Sequence, residues 1–148
     1  MDLKTAIKTG DAEALKCLLG EDAARANALI RWGAEDCIQT HPLHFVSDML
    51  FEGSLKKGNE LPLIDALVEA GADLDFQQEG EDGKKGDTPL IGAASLCAEE
   101  VGLRLLSAGA RPELLGMFGE TALQKMKLKR TTTITIISGP PIPPRGPR

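Results

Sequence analysis

Cys37, His41, His44 and Asp48 are the residues of this 148-residue chain whose types and closeness could hold a metal ion. They read CxxxHxxH, with an acid four residues on. A closed zinc site needs about four ligands at paired spacings, and this pattern supplies neither the CxxC nor the wider His pair of the standard sites. Nucleophilic catalysis would need a Ser or Cys held beside a base and an oxyanion donor. Ser47, Ser54, Ser95 and Ser107 stand in no GxSxG-like turn. Cys17 and Cys97 stand at or near helical positions, where inert buried thiols are expected. GEDGKKGDT, residues 80–88, carries glycines and lysines without the GxxxxGK[ST] spacing that wraps a phosphate. No catalytic residue, no metal and no cofactor is therefore expected, and the chain reads as a non-enzyme.

The elements that position these residues are clearest at Asp87 to Ala110, DTPLIGAASLCAEEVGLRLLSAGA. Pro89 fits the first turn of a helix, where its missing N–H costs nothing. Leu90, Ala93 and Ala94 follow at helical spacing. A second helix is predicted from Glu99 to Ala108, with acids at its N-terminal end, where the macrodipole favours them, and with Val101, Leu105 and Leu106 on one face. Gly109 should end it as a left-handed cap.

TPLIGAAS is similar to the TPLHxAA opening of the ankyrin repeat, departing at Ile91, and Leu105-Leu106 with Gly109-Ala110 resembles that family's LLxxGA close. Thr88 is followed 33 residues later by Thr121 in GETAL, the ankyrin period. The resemblance implies an all-α solenoid of stacked helix-turn-helix units with finger loops. Residues 2–29 read as two helices, Asp2 to Lys8 and Ala12 to Gly20, and AIKTGDAEALKCLL resembles the family's run from the end of the first helix through the second, with Ala6, Ala14, Leu15, Leu18 and Leu19 inward and a polar outer face suited to a first, capping unit. Asn27 to Thr40 reads as an enlarged finger, with Trp32 packed under its own loop. His41-Pro42-Leu43-His44 stands where TPLH belongs, and the family's histidine at the place of His44 supports the loop by hydrogen bonding.

This second unit closes with a helix from Leu61 to Ala70 and Gly71-Ala72-Asp73. His41 lies 47 residues before Thr88, and the excess over one period divides between MLFEGSLKKGNE, between the helices, and QQEGEDGKKG, in the next finger. Both are predicted to be surface insertions. The repeats are thus placed at about 2–34, 41–75 and 88–112, with a partial fourth at 121–130, in a domain covering 1–124. After Gln124 come the basic KMKLKR, read as solvated charge, the β-branched run Thr131 to Ile137, and a Pro-rich end expected to be extended. Residues 131–148 form a tail set apart from the domain.

Composition agrees with short, closely packed helices, since 42% of the residues are hydrophobic and only 3% aromatic. All 22 acids precede Lys125, against 11 of the 17 bases, so the body carries −11 and the remainder +6. An acidic body argues against a general nucleic-acid surface. Three cysteines without a CxxC pair suggest no disulfide framework, which fits a reducing, cytoplasmic setting. No apolar run reaches secretory or membrane-spanning length, so no membrane partner is expected.

The resemblance implies protein–protein recognition by the finger tips and the exposed face of the first helices. The matching positions are Glu35, Cys37, Ile38 and Thr40 in the first finger, and Lys84, Lys85 and Asp87 in the second. Ser95 and Leu96 lie beyond the short helix. In the third finger they are Leu115, Met117, Phe118 and Glu120. Met117 and Phe118 stand between Gly116 and Gly119, where polar residues would be the ordinary choice. The competing expectation is a structural role, with homo-oligomers formed through the uncapped C-terminal repeat and tail.

Overall fold

The computed structural model describes residues 1–80 and 82–127, and the predicted tail at 131–148 lies outside them. The chain is mostly helical. Its helices are α1 (Leu3–Thr9), α2 (Ala12–Glu21), α3 (Pro42–Glu52), α4 (Glu60–Glu69), α5 (Pro89–Ser95) and α6 (Glu99–Ala108), and residues 122–127 are helical again. No described helix is long and apolar enough to cross a membrane.

Single side chains start most of these helices. Asp2 Oδ1 accepts from Thr5 N at 2.8 Å, Asp11 Oδ1 from Ala14 N at 3.0 Å, and Thr88 Oγ1 from Ile91 N at 3.1 Å, each satisfying an amide that the helix leaves unpaired. The helical residues 122–127 open with a reciprocal box: Gln124 N donates to Thr121 Oγ1 and Thr121 N to Gln124 Oε1. Gly109 closes α6 at φ 111, a backbone region that side chains with a Cβ avoid.

The helices pack in sequence-neighbour pairs, α1 with α2, α3 with α4 and α5 with α6. The pairs stack in sequence order, so that α1, α3 and α5 form one row and α2, α4 and α6 a second. Ile7, Leu15, Leu43, Phe45, Leu63, Leu67, Ile91 and Leu105 are fully buried between the rows. Each such side chain contributes about 1.5–3 kcal/mol of transfer free energy, opposed by the entropy of ordering the chain. Arg104 of α6 grips both carboxylate oxygens of Asp65 on α4, at 3.0 and 3.1 Å, and fixes which side of α6 faces its neighbour.

Several expectations need correction. The first finger is not helix and loop alone: β1 (Ile30–Trp32) and β2 (Ile38–Thr40) pair antiparallel, Ile30 opposite Thr40 and Trp32 opposite Ile38. The insertion predicted from Met49 begins later, because α3 runs on through Met49–Glu52 until Gly53 takes a left-handed φ of 94. Leu106, placed on one face with Val101 and Leu105, is exposed while those two are buried. Cys17 and Cys97 are exposed rather than buried. Cys17 lies between Leu15 and Leu19, both buried and four residues apart, and therefore points away from the face they share. Cys97 sits in the turn after α5 at φ 58.

Asn27 links the first unit to the second, although nothing marked it in the sequence. Its Oδ1 accepts from Asp73 N at 2.6 Å and from His41 Nε2 at 2.9 Å, while its Nδ2 donates to Gly71 O at 3.0 Å. Asn27→Ala leaves three partners unpaired at once and should cost about 1–2 kcal/mol. Asn27→Asp keeps both acceptor bonds and should lose less. Urea unfolding of the two variants checks the order, and equal losses would show that the bond to Gly71 dominates.

Candidate functional site

Three fingers project from the first-helix row. The first is the β1–β2 hairpin, braced from beneath by Trp32, whose Nε1 donates to Thr40 Oγ1 at 2.9 Å and whose ring meets Phe45 edge-on at 5.7 Å. The expectation that Trp32 packs under its own loop therefore agrees with its half-buried position. In the second finger Gly80 N donates to Lys84 O and Gly86 N to Gln78 O, with Glu79 opposite Lys85. In the third, Gly116 N donates to Glu120 O at 2.9 Å. The latter two are clipped together: Gln77 Nε2 donates to Leu115 O at 2.7 Å, Asp75 Oδ1 accepts from Arg111 N, and Asp87 Oδ1 accepts from Met117 N at 2.9 Å.

Between the first and second fingers lies an open groove of about 360 Å³. Gln39 and Thr40 form one wall, and Gln78, Glu79, Asp82, Lys84 and Lys85 the other. His41, His44, Phe76 and Pro89 form the floor, and Met117 reaches in from the third finger. The floor is rigid because His41 is held on three sides. Its Nδ1 accepts from Leu43 N at 3.2 Å, its Nε2 donates to Asn27, and its ring stacks on Phe76 with centroids 4.7 Å apart. Burial holds its pKa down to about 4, against the opposing pull of Asp73. The neutral ring, with its proton on Nε2, satisfies both bonds.

His44, the residue that the family pattern assigns to bracing the loop, turns to Asp48 instead, Nε2 to Oδ1 3.7 Å. The loop bonds come from His41. Burial raises the carboxyl pKa of Asp48, with His44 opposing and Glu52 adding to the rise. The His44 ring also lies close to α5: a Cβ at Gly92 would stand 2.5 Å from it, so a larger residue there would force the ring to move. Among the described residues no cluster of three His, Cys, Asp or Glu side chains could hold a metal. Cys37 lies exposed at the end of the first finger's turn, apart from the buried His41.

Of the residues that sequence placed at a partner surface, Lys84, Lys85 and Met117 meet in the groove with Asp87 and Thr40. Thr40 is corrected to a scaffold residue, since it is buried and its hydroxyl holds Trp32. Asp87 is half-buried and spends Oδ1 on the third finger. Glu35 and Ile38 are exposed on the first finger, outside the groove. Glu35 and Asp36 there take left-handed backbone, φ 55 and 52, and Asp36 reaches Lys4 at 3.3 Å.

Ser95 and Leu96 are half-buried at the far end of α5 and do not join the fingers, a second correction. Glu120 is half-buried beside Lys125, at 3.6 Å. Met117 and Phe118 are exposed at the third fingertip, 55% and 69%, and Lys125 Nζ lies 4.5 Å from the Phe118 ring centroid. Phe118 thus does not fold back under the neighbouring finger. Sequence reasoning missed Phe76 and Gln78, and the one available signal was the length of the second finger. In comparison with family models and with curated proteins, the chain has no match.

Proposed function

We propose that the chain is an ankyrin-type solenoid that binds another protein, without catalysis, in the groove between its first two fingers and across the tip of the third. The observation that carries the reading is the combination of a rigid groove floor with exposed Lys84, Lys85 and Met117 lining the groove and exposed Phe118 next to Met117 on the third fingertip. Two-row stacking of helix pairs supports the solenoid part, together with hairpin-like fingers that begin at equivalent places in each unit. The partner presents an extended segment. Its apolar side chain covers Met117 and Phe118, and its acidic group meets Lys84 or Lys85.

Affinity purification followed by mass spectrometry supplies the partner, and titration of purified proteins then tests the surface. Phe118→Ala should weaken binding about tenfold, the loss of one buried aromatic anchor. Lys84→Glu should slow association and flatten its dependence on salt. If both variants bind as tightly as the parent chain, the surface lies elsewhere.

A further inference from the structure

The connection between α3 and α4 is longer than those inside the other two helix pairs. Gly10 and Asp11 join the first pair and Leu96 to Ala98 the third, while the second takes residues 53–59. This loop is pinned on the side of the first pair. Leu55 is buried, its N–H donates to Met49 O at 3.1 Å, and its side chain presses on the α1–α2 turn, where a Cβ at Gly10 would stand 3.2 Å from Leu55 Cδ1. Toward the third pair an open cleft of about 430 Å³ remains between the loop and the α5–α6 turn. Leu50 and Phe51 at the end of α3 line it together with Leu96 and Cys97. Its charged groups are Lys57, Glu60, Glu99 and Glu100.

We propose that this cleft docks a segment of a partner protein that carries an arginine beside an aliphatic or aromatic residue. Three carboxylates against one ammonium set the sign of the charge it attracts. Glu60 is the anchor, since it is 3% exposed and its Oε2 accepts from the Gly58 amide, a neutral donor, at 2.6 Å. Among the described residues no lysine or arginine pairs with it. A carboxylate taken out of water is ordinarily matched by a cation, and here the occupant supplies it. Arginine suits the place better than lysine, because its guanidinium is more weakly hydrated and its fork meets two carboxylate oxygens at once. Phe51 is 73% exposed, so its ring offers a face to the guanidinium and, with Leu96, an apolar wall to the neighbouring residue. A cleft with so open a wall does not enclose a small molecule, whose sites bury about 70–90% of the ligand; a polypeptide covers both walls. The eleven residues of α3 set its two ends about 16 Å apart. The cleft is at the far end from the groove and does not depend on what the groove binds.

Cys97 reports occupancy, because it lines the cleft and is exposed. The test uses the full chain with Cys17→Ser and Cys37→Ser, two exposed positions, which leaves Cys97 as the sole thiol. Its reaction with a neutral dipyridyl disulfide is timed with and without a capped Leu-Arg-Leu or Leu-Glu-Leu peptide at millimolar concentration. Leu-Arg-Leu should slow the reaction several-fold, and Leu-Glu-Leu should leave it unchanged. Glu60→Gln keeps an acceptor for the Gly58 amide, and Phe51→Ala alters an exposed side chain. Each should raise the Leu-Arg-Leu concentration needed for protection about tenfold. Lys84→Glu should leave protection as it is, which separates this surface from the groove. Equal protection by the two peptides, protection by neither, or full protection in Glu60→Gln would overturn the proposal.

Discussion

Phe45→Ala should lower the unfolding free energy by about 3–5 kcal/mol, the range for removing a buried aromatic ring. Phe45 is fully buried on α3, where it packs edge-on to Trp32. Truncation opens a cavity whose walls are held by both rows of helices and by the first finger, so little can move in to fill it. Small domains have only about 5–15 kcal/mol of stability, and the variant should unfold at a much lower urea concentration. Phe45→Leu retains most of the volume and should lose about 1.5 kcal/mol or less. Trp32, the sole tryptophan, reports the same site, and its emission should shift to the red in Phe45→Ala as the indole loses its neighbour. A loss below about 1 kcal/mol would mean that the cavity collapses and that Phe45 does not join the finger to the core.

How much of this was legible in the sequence depended on how far apart the interacting groups lie. Thr88, Pro89 and Gly109 each decide a helix boundary through their own chemistry, and the helices they bound run where their spacing placed them. The Cys17 error was avoidable, since the Leu15–Leu19 stripe already assigned it to the outer face. Thr40 was misplaced for a subtler reason. Finger residues alternate in direction once the finger is a hairpin, and the pairing of Ile30 with Thr40 turns the threonine beneath the indole; without the register, tip and base cannot be told apart. Asn27 was beyond reach, because its partners Gly71 and Asp73 lie more than forty residues away and nothing local marks an asparagine that joins two turns. The groove followed the same rule: Lys84, Lys85 and Met117 could be named from their loops, while Phe76 enters through its stack on His41.

The buried histidine at the floor of that groove makes the fold sensitive to acid. In the folded chain His41 must remain neutral, because protonation would place an Nδ1–H against the amide of Leu43 that Nδ1 now accepts. Burial, which penalises the charged ring, lowers its pKa to about 4 from an ordinary 6.5. Above the unfolded value neither state binds this proton, so His41 makes stability independent of pH there. Below it the unfolded chain takes up a proton that the folded chain refuses, and stability falls until the folded pKa is reached. The loss should approach about 3 kcal/mol between pH 6.5 and 4. Asp48 works in the other direction, since its raised pKa lets the folded carboxyl take a proton before the unfolded one, which adds stability as pH falls. Comparison with His41→Asn separates the two. Asparagine is an effective N-cap, does not titrate, and leaves Asp48 in place. Urea midpoints measured from pH 7 to pH 4.5 should fall more steeply for the parent chain than for the variant. Parallel curves would show that His41 protonates without penalty, and its bonds to Leu43 and Asn27 would then have to rearrange together.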